Sequence, residues 1–223
     1  LPDMQAGCSL SNSITGEDVK LLKQKFPGVP VVSYVNTSAD VKAETDVCCT
    51  SANAVKVVES LNVDKVIFLP DQYLADYVAK NTKVKIISWK GTCIVHEQFT
   101  GKEIEEIKSQ NPGIKLIAHP ECPPDVIAAS DFAGSTSGMI DYVKNKQPKK
   151  VMLVTECSMS DNVEADNPKV SFIKPCNLCP YMKKINLKKI LDCLENETNE
   201  IILDSKTIEA ARKSVIRMTE IGR

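Results

Sequence analysis

The chain has 223 residues, of which 43% are hydrophobic, and a formal net charge of −1 at pH 7. This length suits one large domain or two to three small ones. The basic residues are interspersed with acidic ones instead of forming the patch that nucleic-acid binding needs, and no apolar run approaches the roughly 20 residues of a membrane helix. We therefore expect neither a nucleic-acid nor a membrane partner, and a cytoplasmic location.

The chain contains nine cysteines, which is a high number. It is too long, and its apolar residues are too well patterned, to need a disulfide framework, and no signal peptide is visible. Metal-bound cysteines in a reducing compartment are the better interpretation. Because the chain begins with Leu1-Pro2-Asp3, we expect a fragment, whose missing upstream segment could have carried a targeting peptide.

The first part of the chain predicts alternating helices and strands. Thr15 caps the first predicted helix, which Pro27-Gly28 stops, and the strand at 29–35 is apolar on both faces, as in a parallel sheet. The elements expected next are a short helix at 39–44, a strand at 47–49, a helix from Ser51 or Asn53 to residue 61, a strand at 65–69, a helix at 72–80 and a strand at 84–89.

The same succession starts again at Thr100, at an offset of 85 residues. It predicts a helix that Pro112-Gly113 ends, a strand at 115–118, a short helix at 124–129, another helix after 135–137 and a strand at 150–154. The matching pairs are Thr15 with Thr100, Pro27 with Pro112, Tyr34 with His119, Asn36 with Glu121 and Asp46 with Asp131. The repeat predicts two homologous α/β units with parallel sheets.

A third copy of the repeat is half present. Cys179, the Asn186 cap and a helix through Leu194 match its opening, and a strand at 200–203 and a final helix capped by Asp204 follow. We expect an α/β fold of three homologous small parallel-sheet units around a pseudo-threefold axis, with the first unit incomplete. The expected boundaries are 1–14 for the cysteine loop and remnant of the first unit, 15–90 for the second unit, 91–176 for the third and 177–223 for the segment that returns to the first.

Three cysteines share one local context. Cys8, Cys93 and Cys179 each lie seven residues before an expected helix cap, at nearly equal spacings along the chain. Thiolates are soft ligands suited to zinc or iron–sulfur clusters, so we expect three ligands of one metal centre. The alternative is three unrelated buried cysteines, since cysteine is often simply buried. Cys176 precedes Cys179 in a C-x-x-C but does not fit the repeat, and is interpreted as an accessory. The cysteines interpreted as core or bystander residues are Cys48, Cys49, Cys122, Cys157 and Cys193.

Polar side chains follow equivalent strands of the two units. His119 and Glu121 end one strand and Tyr34 and Asn36 end the other, at the edge where open α/β sheets place their ligand sites. Glu121 and His119 suit general acid–base work, and Tyr34 can give or take a proton. His96, in the central cysteine loop, is a further candidate, although a lone histidine is commonly structural.

Hydroxyl side chains join strand ends to helix starts at Ser51 and at Ser135-Thr136. Backbone amides and hydroxyls at a helix start suit a phosphate, whereas plain helix capping is their routine use. If these hydroxyls face one cleft, they become candidates for phosphate binding.

Together these motifs resemble the quinolinate synthase family over essentially the whole chain. The segments that carry the resemblance are Cys8-Ser9-Leu10, Tyr34-Val35-Asn36-Thr37, Thr50-Ser51-Ala52-Asn53, Gly91-Thr92-Cys93-Ile94-Val95-His96, His119-Pro120-Glu121, Ser135-Thr136 and Cys179-Pro180-Tyr181-Met182. The resemblance implies three α/β units and an enzyme that condenses iminoaspartate with dihydroxyacetone phosphate to quinolinate, releasing phosphate and water, in NAD biosynthesis. It also implies a 4Fe-4S cluster with one open iron, and functional coupling to L-aspartate oxidase.

The resemblance assigns roles by position. Cys8, Cys93 and Cys179 would ligate the cluster, whose open iron would act as a Lewis acid. The remaining roles would be proton transfer for Tyr34, His119 and Glu121, substrate positioning for Asn36 and His96, and binding of phosphate or carboxylate oxygens for Ser51, Ser135 and Thr136. The family's amino-terminal portion is absent, so the alternative is an inactive truncated chain or a non-catalytic zinc-binding scaffold. A thiol redox protein based on Cys176 and Cys179 leaves the other two loop cysteines unexplained.

Overall fold

Helices begin at the residues that the sequence marks as caps. In the computed structural model, which describes residues 1–174 and 177–222, Thr15 and Asp18 form a reciprocal capping box at the start of the first helix. Thr100 and Glu103 form the same box at the equivalent position of the repeat. Each box satisfies backbone N–H groups that a helix start leaves without intrahelical partners.

The elements alternate between helix and strand over most of the chain. In chain order they are α1 (Gly16–Lys25), β1 (Val31–Tyr34), α2 (Ala39–Ala43), β2 (Val47–Cys49), α3 (Ala54–Ser60), β3 (Lys65–Leu69), α4 (Gln72–Asn81), β4 (Lys85–Ser88), α5 (Gly101–Gln110), β5 (Lys115–Ala118), α6 (Pro124–Ala129), β6 (Phe132–Ala133), α7 (Thr136–Lys146), β7 (Lys150–Val154), α8 (Ser158–Asp166), β8 (Ser171–Phe172), α9 (Leu187–Asn196) and α10 (Ser205–Gly222). Among these residues no helix combines the length and apolarity that crossing a bilayer requires.

The strands form two four-stranded parallel sheets with the same strand order. The N-terminal sheet has the order β2-β1-β3-β4 and the C-terminal sheet has the order β6-β5-β7-β8. Every strand pair is parallel, and Val31 lies opposite Ile67 in one sheet as Leu116 lies opposite Met152 in the other. The predicted α/β class with parallel sheets is confirmed. The arrangement around a pseudo-threefold axis, and the unit boundaries, stay predictions.

Equivalent hydrogen bonds stabilise the two copies of the repeat. The carboxylate of Asp40 accepts a hydrogen bond from the Gly16 backbone N–H at 2.7 Å, and Asp125 accepts one from Gly101 at 2.8 Å. A Cβ atom at either glycine would lie about 3.0 Å from the carbonyl oxygen of that aspartate. Glycine therefore allows the helix start to approach the next helix closely in both units, which explains the Thr-Gly pair that opens each copy.

Both sheets are covered by apolar side chains on both faces. In the N-terminal sheet, Val32 and Phe68 point to one face and Val31 and Ile67 to the other, and all four are at most 1% exposed. Each such side chain contributes about 1.5–3 kcal/mol to folding through burial. The long helix α10 packs on α2 and β2 at the edge of this sheet. The C-terminal sheet is likewise sandwiched between two apolar clusters.

One predicted element is wrong and three were not predicted. Residues 200–203 form no strand, and Ile202 is 82% exposed there. A strand needs a neighbouring strand for its backbone hydrogen bonds, and none of the described residues provides one. The elements that the sequence did not indicate are β6, α8 and β8. Two of these are only two residues long, and α8 is mostly polar, with only Ser160 and Val163 buried.

Candidate active site

Three cysteine loops are built in the same way. The backbone carbonyl of each cysteine accepts a hydrogen bond from the N–H four residues later, at 3.0 Å for Cys8, 3.0 Å for Cys93 and 3.1 Å for Cys179. A short 3-10 helix follows each cysteine, at Ser11–Ser13, His96–Gln98 and Met182–Lys184. Thr15, Thr100 and Asn186 then cap the next helix through their side chains. The predicted local equivalence of the loops is therefore present, while Cys176 lies outside the described residues.

Side chains from neighbouring residues tie the loops to one another. The Ser9 hydroxyl donates to the carbonyl of Thr92 at 3.1 Å and accepts from the Ile94 N–H at 3.0 Å. The Asn12 side-chain amide donates to the Tyr181 hydroxyl at 3.3 Å. The first loop thus contacts both of the others, although the three lie more than 80 residues apart in sequence.

The loops surround one cavity of about 740 Å³. Its lining includes the three cysteines and most of the other predicted site residues, namely Tyr34, Asn36, His96, His119, Glu121 and Thr136. Tyr34 ends β1 and His119 follows β5, so the cavity opens at the carboxyl edges of both sheets. This is where parallel sheets place ligands.

Two predicted phosphate-binding residues lie outside this lining. Ser135 caps α7, where its hydroxyl accepts from the Gly138 N–H at 3.2 Å and shares a hydrogen bond of 3.0 Å with Ser137. Ser51 lies in the turn before α3. Of the three hydroxyl candidates, only Thr136 lines the cavity, at the first position of the helix. The role assigned to Ser51 and Ser135 stays a prediction.

A buried network of two histidines and one carboxylate forms one wall. His96 Nδ1 lies 3.1 Å from a carboxylate oxygen of Glu121, and His119 Nδ1 lies 3.7 Å from the other oxygen. The two imidazole rings stack with their centroids 4.9 Å apart. Nε2 of His96 shares a hydrogen bond of 2.8 Å with the hydroxyl of Thr155, so His96 is held from both sides.

The electrostatics of this wall keep Glu121 ionised. Burial by itself pushes the pKa of Glu121 upward, but contacts with His96, His119 and Tyr34 outweigh it and lower the pKa to about 2. Burial lowers the pKa of His119 to about 4, against the opposing charge of Glu121. Burial and the charge of Glu121 raise the pKa of Tyr34. At neutral pH the wall therefore carries a carboxylate, a neutral imidazole and a phenol that keeps its proton.

The thiols of Cys8 and Cys93 are poorly stabilised as thiolates in the absence of a cation. Burial raises the pKa of Cys8, and the charges of Glu121 and Cys179 add to this effect. Burial followed by the charge of Glu121 raises the pKa of Cys93. Anionic groups that repel one another in a partly buried site suit a bound metal, because the positive charge of a metal stabilises a coordinated thiolate and the thiol proton is released to solvent. The donor set fits a thiolate-bound metal group.

Three residues that the sequence reading did not single out also belong to this region. Thr155 and Glu156 line the cavity at the end of β7. The Glu156 carboxylate accepts from the backbone N–H groups of Ser158 at 2.8 Å and Cys179 at 3.4 Å. Asp71 is fully buried after β3, and burial together with the charge of Glu121 raises its pKa to about 8. Asp71 and Glu156 are 85 residues apart and therefore occupy equivalent positions of the repeat. Comparison of the two copies would have identified this pair of acidic residues from the sequence.

The fold and the site together define an enzyme-type α/β protein, in which acid–base side chains and thiols share one cavity at the carboxyl edges of parallel sheets. The family described as "Quinolinate synthetase A protein" matches residues 1–220. The chain belongs to this family.

Curated relatives carry the corresponding name. The chain is 60% identical to a quinolinate synthase of Sinorhizobium fredii over 99% of its own length and 62% of the relative's. It is 58% identical to a quinolinate synthase of Xylella fastidiosa, over 99% of this chain and 65% of that one. The chain thus spans a little under two thirds of the length of these relatives. A solved structure of a laminin-binding adhesin from Streptococcus agalactiae aligns with 87% of this chain and 100% of the other, at a TM-score of 0.22 and 10% identity, which is too low to bear on fold or function.

Proposed function

We propose that this chain carries the catalytic cavity of a quinolinate synthase, which condenses iminoaspartate with dihydroxyacetone phosphate to give quinolinate, phosphate and water in NAD biosynthesis. The observation that supports this most is the convergence of three equivalently built cysteine loops on the cavity that Tyr34, His119 and Glu121 also line. Family membership supports an enzyme of this kind, and the reaction is the one that the family resemblance implies. A cytoplasmic enzyme that receives iminoaspartate from L-aspartate oxidase would suit this activity.

Cys8, Cys93 and Cys179 would hold a 4Fe-4S cluster in this proposal. The raised thiol pKa values of Cys8 and Cys93, and the partial burial of all three cysteines, suit a cationic partner. When bound, such a cluster with one open iron supplies a Lewis acid for a substrate oxygen or nitrogen. The alternative of plain thiol redox chemistry between Cys176 and Cys179 leaves the convergence of all three loops unexplained.

Glu121 and Tyr34 would divide the proton transfers between them. A carboxylate that stays ionised at neutral pH can take a proton from substrate at its oxygen, and Tyr34 can donate the proton that its raised pKa keeps in place. The Glu121 backbone N–H donates to Nδ1 of His119 at 3.3 Å. This leaves the proton of neutral His119 on Nε2, from which it can donate a hydrogen bond.

Substrate anions would be held by polar groups in the lining of the cavity. Thr136 occupies the first position of the eleven-residue helix α7, where unpaired backbone N–H groups and the helix dipole favour a phosphate or carboxylate. Asn36 adds an amide that can bind a substrate oxygen. Ser135 at the start of α7, and Ser51 in the turn before α3, would bind further phosphate or carboxylate oxygens, as the family resemblance implies.

The first experiment is anaerobic analysis of iron and acid-labile sulfide in the purified chain, with its visible spectrum. About four irons and four sulfides per chain would support the cluster. Cys93→Ala should lose this content, and full retention of iron in that variant would refute the ligand assignment.

A second experiment separates catalysis from cofactor binding. Glu121→Gln should retain the iron and sulfide content of the parent chain and lose turnover of iminoaspartate and dihydroxyacetone phosphate, because the amide cannot take a proton. A general base typically contributes about 10²–10⁴-fold to the rate. Turnover close to that of the parent chain would remove Glu121 from the proposed mechanism.

A further inference from the structure

The third cysteine loop cannot form the contact that joins the other two. In those two loops the residue after the cysteine is Ser9 or Ile94, and the Ser9 hydroxyl accepts a hydrogen bond from the Ile94 N–H at 3.0 Å. The residue after Cys179 is Pro180, which has neither a hydroxyl nor a backbone N–H. The third loop therefore needs a different partner to hold its thiol at the cavity.

Glu156 provides such a partner from the carboxyl edge of the C-terminal sheet. It lies two residues after the end of β7, and its side chain is 12% exposed. One carboxylate oxygen accepts a hydrogen bond from the Ser158 backbone N–H at 2.8 Å. The other oxygen accepts from the Cys179 backbone N–H and from the Ser158 hydroxyl, each at 3.4 Å. The carboxylate thereby joins the start of α8 to the third cysteine.

Lys183 closes a ring of contacts around Cys179. Its backbone N–H donates to the Cys179 carbonyl at 3.1 Å. Its ammonium group lies 3.7 Å from the Glu156 carboxylate and donates to the Ser158 hydroxyl at 2.5 Å. A largely buried carboxylate is costly unless it is paired. Lys183 therefore allows Glu156 to hold the loop without leaving an unpaired negative charge beside the thiol.

The repeat shows that this use of a carboxylate differs between the two units. In both units the residue after the strand-end carboxylate donates a backbone hydrogen bond to a cysteine loop, at 2.9 Å from Gln72 to Gly91 and at 3.2 Å from Cys157 to Asn177. The carboxylate of Asp71, at the position equivalent to Glu156, accepts from the backbone of its own helix α4 at 2.8 Å. The carboxylate in the C-terminal unit instead reaches the cysteine itself.

We propose that Glu156, neutralised by Lys183, is a positioning residue that anchors the third cysteine loop and holds the Cys179 thiol at the cavity. The anchor stands on the contacts of the metal-free chain, whereas its effect on bound iron rests on the proposed function. The reduction potential of an iron–sulfur cluster depends on the charges around it. Loss of Glu156 removes a negative charge and loss of Lys183 removes a positive one, so the two losses should move that potential in opposite directions.

The first test follows the Cys179 backbone amide by NMR in the metal-free chain labelled with nitrogen-15 cysteine. Glu156→Ala should raise the hydrogen-exchange rate of this amide by about 10-fold or more, because a hydrogen bond to a charged group is lost. Glu156→Gln keeps an acceptor oxygen and should restore part of the protection. Glu164→Gln is the matched control, since Glu164 also lies on this side of the sheet in α8 but pairs with Lys174 at 2.5 Å. It should leave the exchange rate of the Cys179 amide unchanged.

The second test uses the full chain loaded anaerobically with iron and sulfide. Glu156→Gln should raise the reduction potential of the bound cluster, and Lys183→Met should lower it, because a positive charge nearby favours the added electron. Glu156→Ala should release iron to an excess of chelator about 10–100-fold faster, as is typical when a residue that orients a metal ligand is lost. General damage to the loop would shift the potential of both charge variants in the same direction.

Two results would overturn the proposal. One is unchanged exchange of the Cys179 amide in Glu156→Ala, or an equal rise in Glu164→Gln. The other is a shift of the potential with the same sign in Glu156→Gln and Lys183→Met. If Glu156→Ala does not fold, Glu156→Gln decides the question, since a neutral acceptor should still protect the Cys179 amide less than the carboxylate does. A parent chain that binds no iron would refute the proposed function, and the amide exchange would then test the anchor separately.

Discussion

Gly91 determines how closely the central cysteine loop packs against its sheet. It lies two residues before Cys93, and a Cβ atom there would lie 2.5 Å from the Pro70 carbonyl oxygen and 2.5 Å from the Ser13 hydroxyl. The Gly91 N–H donates to Pro70 at 3.0 Å, and the Gln72 N–H donates to the Gly91 carbonyl at 2.9 Å. Because the close atom of Pro70 is backbone, Gly91→Ala has to displace the loop.

The expected cost follows from this overlap. Forcing an extra carbon atom into a packed position typically destabilises a protein by about 1–3 kcal/mol. For a chain of this size each kcal/mol lowers the melting temperature by about 2–4 °C. Gly91→Ala should therefore lower the melting temperature of the metal-free chain by about 2–12 °C.

Gly7→Ala is the matched control, since Gly7 precedes Cys8 in an equivalent loop. Its nearest neighbour would be a Tyr181 ring carbon at 3.4 Å, which is ordinary contact, so we expect a change within about 0.5 kcal/mol. Urea and thermal unfolding of both metal-free variants measure the difference. Equal stabilities of the two variants would refute the reasoning that close approach at Gly91 positions this loop.

The other predictions concern the core and the repeat. Leu153→Ala should lower the free energy of unfolding by about 2–5 kcal/mol, because Leu153 is fully buried. Leu187→Ala should change it by less than about 0.5 kcal/mol, because Leu187 is 85% exposed. Equal losses of stability in the two variants, measured by urea unfolding, would contradict this. Asp40→Ala and Asp125→Ala should each lower the free energy of unfolding at pH 7 by about 0.5–1.5 kcal/mol, because each removes a hydrogen bond to an exposed carboxylate. A large difference between the two losses of stability would argue against equivalent roles of the two aspartates. Although burial opposes it, hydrogen bonds from Ser38 and the backbone lower the pKa of Asp40. Its contribution is thus present above the unfolded-state pKa of about 3.9 and lost as the pH falls through the folded-state pKa, so the effect of Asp40→Ala should shrink when unfolding is measured at lower pH.

Helices and strands that have a clear cap or a continuous apolar run could be predicted from the sequence. The strands β2, β3, β5 and β7 have the predicted bounds, and α1 and α5 begin directly after the threonines that were expected to cap them. Apolar runs and helix caps act over a few residues, so their signals survive in any tertiary context. Residues 200–203 carry a similar apolar signal, yet a strand forms only when another strand pairs with it.

The sequence predicted those residues of the site that occupy equivalent positions in the copies of the repeat. The equal spacing of the three cysteines, and the matching strand ends at Tyr34 and His119, pointed to residues that do share one cavity. Thr155 carried no motif of its own, and its contact with His96 spans 59 residues. The contact of His96 Nδ1 with the Glu121 carboxylate at 3.1 Å depends on side-chain rotation, which the order of residues does not reveal.

By itself, the sequence determined the alternation of helices and strands, the two-fold repetition of the α/β unit and the common design of the three cysteine loops. These features depend on caps, turns and apolar spacing within short segments. Only the tertiary structure decided the strand order of the sheets, the convergence of the loops on one cavity, and the placement of Thr136 in its lining with Ser51 and Ser135 outside it. Those outcomes depend on packing between residues that are distant in the chain, where burial and hydrogen bonding select one arrangement from many that the local signals allow.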